Sequence, residues 1–332
     1  MNTENGTVLE VKNLQTHFFT DEGVVKAVDD VSFSLRKGEV IGIVGESGSG
    51  KSVTNLSVMN LIQSPPGKII GGEVFFHGED ILKLNEKQLR QIRGAKISMI
   101  FQDPMTSLNP FLKISTQMIE TLQLHQKLDK KAAKKKAIEM LTMAGIPAAE
   151  ERIDCYPHQF SGGMCQRVMI AMGLSCNPEI LIADEPTSAL DVTIQAQILD
   201  LIRDLTKKLG TAVILITHSL GVVAGMCDTL YVMYAGRVVE RGLTNDIFEN
   251  PQHPYTRGLI KSVPRLDRQS SERLFSIPGQ PPNVIDLPPC CPFFPRCSEA
   301  TDRCKTAYPE AIDYGNGHQA ACWEASAKEA AK

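Results

Sequence analysis

At 332 residues, with 42% hydrophobic and 22% charged side chains, the chain has room for a large domain plus a smaller appendage and the composition of a soluble globular protein. A net charge near -3 gives no general electrostatic case for nucleic acid as a partner. The longest apolar runs, such as "VMIAMGL" and "AVILI", fall well short of the roughly 20 residues a membrane helix needs, so any membrane role must come through partners.

The amino terminus, "MNTENGTVLEVKNL", is polar and lacks the basic and apolar regions of a secretory signal, which leads us to expect an intracellular chain. Short β-rich runs follow: "VLEVKNLQTHFF", "AVDDVSFSL" and "VIGIVG", the last a buried strand by length and composition. It runs into "GESGSGKS" at 45–52, and "SVTNLSVMNLI" then reads as a helix. A glycine loop joining a strand to a helix amino terminus fits the phosphate-loop pattern. Its glycines let N–H groups converge on phosphate oxygens, and the helix end adds partial positive charge there. Lys51 would reach the β and γ phosphates and the Ser52 hydroxyl would ligate magnesium. A glycine-rich turn without ligand is the alternative.

From about 105 to 177 the pattern is helical. Its clearest amphipathic segment is "LDKKAAKKKAIEMLTMAGI", with the lysines as a solvated face. "FSGGMCQRVMIAMGL" sets Ser161, Gly162 and Gly163 ahead of a helix, which is either a second anion site or a simple cap. "EILIAD" and "TAVILIT" read as strands separated by the helical "TIQAQILDLIRDLTKKLG", a βαβ unit with a parallel sheet. Asp184 and Glu185 end the first strand, where open α/β sheets place their ligands. Asp184 suits magnesium through water, and Glu185 suits polarising an attacking water, although an isolated acidic pair also starts helices. His218 follows the second strand and could touch a γ phosphate; alone it, like Gln102 in "MIFQDP", carries little weight. "TLYVMYAGRVVERG" reads as a hairpin around Ala235 and Gly236. Beyond it, Pro, Arg and Gln enrichment reads as a linker or irregular extension into a cysteine segment. There is no internal repeat and one phosphate loop.

Of nine cysteines, Cys155, Cys165, Cys176 and Cys227 are scattered and read as buried small thiols, whereas the other five lie from Cys290 onward. An intracellular chain favours free thiols or metal ligands over disulfides. Cys291, Cys297, Cys304 and Cys322 are separated by five, six and seventeen residues, with none of the tight pairs typical of structural zinc. The wider spacing suits an iron-sulfur cluster, with zinc and free or disulfide-linked thiols as alternatives.

In this order, the stretches resemble the ATP-binding cassette (ABC) transporter family over about residues 8–241. The resemblance implies an α/β P-loop NTPase fold: a nucleotide-binding domain with a helical subdomain at about 104–178, an antiparallel β subdomain and a small cysteine-rich carboxyl-terminal extension. It implies ATP binding by Gly45, Glu46, Ser47, Gly48, Ser49, Gly50, Lys51, Ser52 and Val53, with Phe18, rather than Phe19, stacking on adenine. Magnesium is implied at Ser52, Gln102 and Asp184, and hydrolysis through Glu185, His218, Lys51 and Gln102. Ser161, Gly162, Gly163 and Gln166 become the signature motif that serves a partner's nucleotide, and Ser188, Ala189, Leu190 and Asp191 the D-loop. In the family, closure of two cassettes on ATP moves membrane subunits, which would dock on about 105–118. Cys165 departs from the basic residue usual after "SGGM", which implies altered contacts with the partner.

"FQDPMTSLNP", "DVTIQAQIL", "NPQHPYTRGLI", "PGQPPN", "CPFFPRCSEATDRC" and "HQAAC" resemble the oligopeptide and dipeptide importer subfamily. Only the tail "EASAKEAAK", expected as a frayed helix, is left uncovered. This resemblance implies an ATPase domain at 1–252 and an extension at 253–332. The extension would hold a 4Fe-4S cluster within 290–322 on Cys291, Cys297, Cys304 and Cys322; Cys290 falls outside the matching "CPFFPRC". A structural role is expected, since a cluster can staple a segment that lacks its own core. The implied function is ATP-driven uptake of di- and oligopeptides. Partners are a paralogous ATPase in a heterodimer, two transmembrane permease subunits and, indirectly, an extracytoplasmic peptide-binding protein, with no nucleic acid. The chain would sit peripherally on the cytoplasmic face of the membrane. Alternatives are import of nickel or another small solute, and a soluble cassette ATPase acting on ribosomes or DNA; the latter class commonly carries two cassettes and lacks the extension. A redox-sensing protein without hydrolysis would be expected to lack Glu185 or His218, and both are present.

Overall fold

The computed structural model describes residues 6–188, 190–263, 275–285, 287–323 and 325. Two compact units interleave along the sequence: residues 1–8, 35–40 and 83–216 form the first, and 9–34, 41–82 and 217–332 the second. No helix among the described residues is long and apolar enough to cross a membrane. The tail from Glu324, apart from Ala325, lies outside the described residues.

In the first unit, strands Ile97–Ile100, Ile180–Asp184 and Ala212–Thr217 lie side by side in parallel, with Ile100 opposite Ala183 and Ile182 opposite Ile214. Residues 180–183 and 212–216 are buried on both strand faces, which is why these strands read as unbroken apolar runs. The helix Val192–Leu209 supplies the crossover. The Asp191 carboxylate caps its start by accepting the Ile194 N–H at 3.0 Å, and Gly210 ends it in a left-handed conformation. Ile97–Ile100 had no expectation from sequence, since four residues are too few to show a period.

Helices Ile114–Gln126, Lys130–Met143 and Gly162–Leu174 pack on one another in the same unit. Ala133, Ala137, Met140 and Leu141 recur at helical spacing and form the buried stripe of the middle helix. Its lysines are not uniformly solvated as expected: Lys130, Lys131 and Lys135 are exposed, but Lys134 pairs with Asp154 at 2.7 Å and Lys136 donates to Gln126 at 2.8 Å.

The second unit holds most of a four-stranded sheet in the order Gly23–Arg36, Thr7–Thr20, Gly67–Phe76, Glu79–Asp80, its last two pairings antiparallel. It also contains the strand Val40–Val44, parallel to Thr229–Tyr234, which turns through Ala235 and Gly236 into the antiparallel strand Arg237–Leu243. Both turn residues have positive φ, as a two-residue hairpin requires.

The segment read as an irregular linker is more ordered than that. Pro254–Ser262 is a helix, and Val25 bridges Ile285 in an antiparallel manner. Farther on, Gln319–Ala320 pairs with Arg237–Leu243 and Ile312–Asp313 pairs with Gln319–Ala320, so residues near the end of the chain continue the edge of this sheet. The join is organised by Glu240, which is 1% exposed. Its carboxylate accepts the Gln252 N–H at 2.7 Å and the His253 N–H at 2.9 Å, and lies 2.8 Å from His318 Nε2. Three donor groups around a buried carboxylate offset the cost of removing it from water.

His253 then caps the helix Pro254–Ser262, its Nδ1 accepting the Tyr255 N–H at 3.1 Å. Burial pushes its pKa from 6.5 down to about 4, against the opposing pull of Glu240. The unfolded chain therefore binds this proton below pH 6.5 while the folded chain refuses it until about 4. The contribution is complete above pH 6.5 and is lost as pH falls through that window, by roughly 3 kcal/mol in all. Thermal unfolding followed from pH 7 to 4 is expected to show a shallower loss of stability for His253→Asn, which keeps a capping oxygen but does not titrate.

Candidate functional site

The glycine loop at 45–52, expected to hold phosphate, belongs to the second unit and follows directly from the buried strand Val40–Val44. A Cβ on Gly45 would collide with the Met233 carbonyl, and one on Gly50 with the Ala27 carbonyl. Both glycines, and Gly48, have positive φ. Gly50 gives no side-chain cap to the helix Lys51–Val58, so its first-turn N–H groups receive no capping side chain. The Lys51 ammonium, 5% exposed, donates to the Gly45 carbonyl at 2.8 Å, the Glu46 carbonyl at 2.9 Å and the Ser49 hydroxyl at 3.4 Å. Ser47, Gly48 and Ser52 are exposed, Val53 is half-buried, and Ser49 is buried with its carbonyl accepting the Gly236 N–H at 3.0 Å. The hairpin turn thus braces the loop from behind.

Glu46 is tied by both its backbone and its side chain. Its N–H donates to the Tyr255 hydroxyl at 2.8 Å, and its carboxylate is gripped by the Arg296 guanidinium at 2.6 and 2.9 Å. Neither partner was marked by the sequence, because nothing in "HPYTRGL" or "CPFFPRC" signals a reach of 209 or 250 residues to the loop. Burial raises the Tyr255 phenol well above its usual range, keeping it neutral.

Phe18 is half-buried opposite Gly67, where its ring would crowd an added Cβ, while Phe19 beside it is 51% exposed. His218 is exposed just beyond Ala212–Thr217.

The first unit brings together the carboxylates and the glutamine expected to act with them. Asp184 is buried at the end of its strand. Glu185 follows with φ 45°, a left-handed conformation unusual for a side-chain-bearing residue, and its N–H donates to the Ile216 carbonyl at 2.9 Å. Gln102 Nε2 donates to the Glu185 carboxylate at 3.1 Å. Ser188 Oγ donates to the Glu185 carbonyl at 3.1 Å, Leu190 is half-buried and Asp191 is the helix cap; Ala189 lies outside the described residues.

Ser161 caps the helix Gly162–Leu174 by accepting the Met164 N–H at 3.4 Å, and Ser161 and Gly162 are exposed while Gly163 is half-buried. Gln166 is not presented with them: it is 1% exposed, and its Nε2 has no hydrogen-bond partner among the described residues. Cys165, expected to alter a partner contact, is fully buried with Sγ 3.5 Å from the Pro157 carbonyl, so this thiol packs inside its own unit. Burial raises its pKa, as it does for Cys176, and for Cys227 to about 12.

In the second unit, Cys291, Cys297, Cys304 and Cys322 line one small cavity with Phe293, Phe294 and Trp323, and Cys290 does not. The Cys291 N–H donates to the Cys304 carbonyl at 3.1 Å. Burial first, and then the neighbouring Cys304, Cys322 and Cys297, push the Cys291 thiol up to about 12. No group of three or more His, Cys, Asp or Glu among the described residues stands in metal-holding geometry.

The family model described as "ABC transporter" matches residues 28–188, and that of the "Oligopeptide/dipeptide transporter, C-terminal region" matches residues 239–304. The chain is 51% identical to the oligopeptide transport ATP-binding protein OppD of Haemophilus influenzae, across 97% of this chain and 98% of that protein. It is 53% identical to the dipeptide transport ATP-binding protein DppD of Bacillus subtilis, across 95% and 94%. Among solved structures, the dimeric ATP-binding cassette MJ0796 in a post-hydrolysis state with ADP and Pi is similar at a TM-score of 0.64 and 29% identity, covering 71% of this chain and 98% of that one. With relatives about half identical over nearly its whole length, the chain belongs to the ABC transporter family, in the branch that carries the oligopeptide/dipeptide carboxyl-terminal region.

Proposed function

We propose that this chain is the ATP-binding and ATP-hydrolysing subunit of a membrane importer of di- and oligopeptides. The observation that carries this reading is the pairing, in one chain, of a cassette match with an oligopeptide/dipeptide carboxyl-terminal match. A soluble cassette acting on ribosomes or DNA leaves the second match without a purpose. We divide the chain into a cassette at 1–252, with helical subdomain at about 104–178, and an extension at 253–332.

The roles follow from side-chain chemistry. The loop of Gly45, Glu46, Ser47, Gly48, Ser49 and Gly50 offers N–H groups to phosphate oxygens, with Ser52 and Val53 continuing it into the helix. Lys51 now satisfies its ammonium on three loop oxygens and exchanges them for phosphate oxygens, which are charge-assisted acceptors. Phe18 is assigned to adenine. Ser52, Asp184 and Gln102 are all oxygen donors and fit magnesium, which when bound would offset phosphate charge. Glu185, oriented by Gln102 and by its left-handed backbone, takes the proton of the attacking water, and His218 meets the γ phosphate. Ser161, Gly162 and Gly163, with Gln166 in support from inside the helix, serve the nucleotide of a paralogous ATPase in a heterodimer, and residues 188–191 form the D-loop. ATP binds the closed pair better than the open one and so shifts the equilibrium between them. Two transmembrane permeases, fed by an extracytoplasmic peptide-binding protein, receive that motion, which puts the chain on the cytoplasmic face of the membrane.

Cys291, Cys297, Cys304 and Cys322 are proposed ligands of a 4Fe-4S cluster, with zinc the alternative. Support comes from the shared cavity and from the absence of Cys290 from its lining. Such a cluster, when bound, supplies four thiolate links to a segment with little core of its own. Burial raises the Cys291 and Cys297 thiols, so loading must release their protons.

Glu185→Gln is expected to keep ATP binding while losing about 100-fold or more in turnover, as measured by phosphate release; unchanged turnover would remove Glu185 from its role. Proteoliposomes holding the full transporter should accumulate labelled peptides when ATP is present, and accumulation of nickel instead would overturn the substrate. Anaerobically purified protein should be brown and contain iron; a colourless protein with one tightly held zinc would replace the cluster with the alternative.

A further inference from the structure

The phosphate loop carries a carboxylate of its own, at the place proposed to receive a polyphosphate. Glu46 is half-buried, and its charge is met by Arg296, whose side chain is 5% exposed. The guanidinium approaches with Nη1 at 2.6 Å and Nη2 at 2.9 Å, one on each carboxylate oxygen. This paired fork is the geometry that gives arginine its advantage over lysine.

Arg296 is itself fixed. Its Nε donates to the Pro278 carbonyl at 2.9 Å, and Nη1 lies 3.3 Å from the Tyr234 hydroxyl. Behind it, the rings of Tyr234, Tyr255 and Phe293 pack with centroids 4.6 to 5.4 Å apart. Tyr255 is fully buried and takes the Glu46 N–H. The extension therefore fastens Glu46 by side chain and backbone at once, while Lys51 holds its carbonyl from the loop side.

We propose that Arg296 is a positioning residue for the phosphate loop: it neutralises the Glu46 carboxylate and draws it toward the extension, leaving the loop in shape and in charge to accept a nucleoside triphosphate. The inference rests on the nucleotide-binding reading of residues 45–52. It assigns the cysteine-rich extension a part in ATP affinity that requires no electron transfer and no contact between the extension and the nucleotide. Removing Arg296 would leave an uncompensated, half-buried negative charge on the loop, where it would be costly in itself and would repel phosphate.

The test is a double-mutant cycle on equilibrium binding of ATP with magnesium to the full-length chain. Arg296→Ala is expected to weaken ATP binding about tenfold or more, and adding Glu46→Gln should recover affinity to within about threefold of the native chain. A loss caused only by disturbed packing would not be rescued by neutralising the opposite residue. Should Arg296→Ala not accumulate as folded protein, Arg296→Lys serves the same cycle, since it keeps the charge but loses the fork. A weakening of about threefold is expected with Glu46 and none with Gln at that position. Unchanged affinity in the arginine variants, or equal losses in both backgrounds, would overturn the proposal. A native chain that binds no ATP would instead overturn the reading of the loop on which it stands.

Discussion

A backbone that may carry no Cβ at two points is the constraint around which the second unit is built. At Gly45 and Gly50 the loop passes so close to the carbonyls of Met233 and Ala27 that any side chain would collide. Those carbonyls belong to other strands, so the loop's path and the sheet's packing were settled together. The close approach brings the turn at Ala235 and Gly236 near enough for the Gly236 N–H to hold the Ser49 carbonyl, and for the Gly236 carbonyl to take the Asp29 N–H at 2.8 Å. A loop meant to present its N–H groups outward has to find its rigidity on its inner side, and these contacts are where it finds it.

Much of this was legible in the sequence because the relevant signals are local. Buried parallel strands show as apolar runs, the hairpin shows in its turn residues, and a glycine loop between strand and helix has a mechanical reason for each glycine. The bond of Gln102 to Glu185 spans 83 residues; the resemblance named both residues but not the contact between them. What stayed hidden was of two kinds. The strand Ile97–Ile100 is too short to display a period. The ties of Tyr255, Arg296 and His318 depend on which distant residue waits for them, and an isolated tyrosine, arginine or histidine has no local pattern that reveals it. Proline enrichment misled in the same way: "NPQHPYTRGLI" looks like a linker, yet proline sits comfortably at the first position of the helix Pro254–Ser262.

The left-handed conformation of Glu185 and the buried Gln166 amide, whose Nε2 has no hydrogen-bond partner among the described residues, are two places where local preference is overridden. Both lie in segments that the family resemblance assigns to nucleotide chemistry, and such departures gather where geometry matters more than stability. Cys165 shows the opposite case. It deviates from a familiar motif, but its thiol is packed away and hydrogen-bonded to a backbone carbonyl, so the deviation is absorbed within the core.

Glu240 has a bearing on how far the chain could be shortened. It stands in the strand Arg237–Leu243, yet its partners are the N–H groups of Gln252 and His253 and an imidazole near the far end of the chain. Were the last two dozen residues deleted, the strand would keep a buried anion short of one donor. Glu240 and His318 are thus bound to one another's presence: a chain shortened before residue 318 would have to lose the charge at 240 as well.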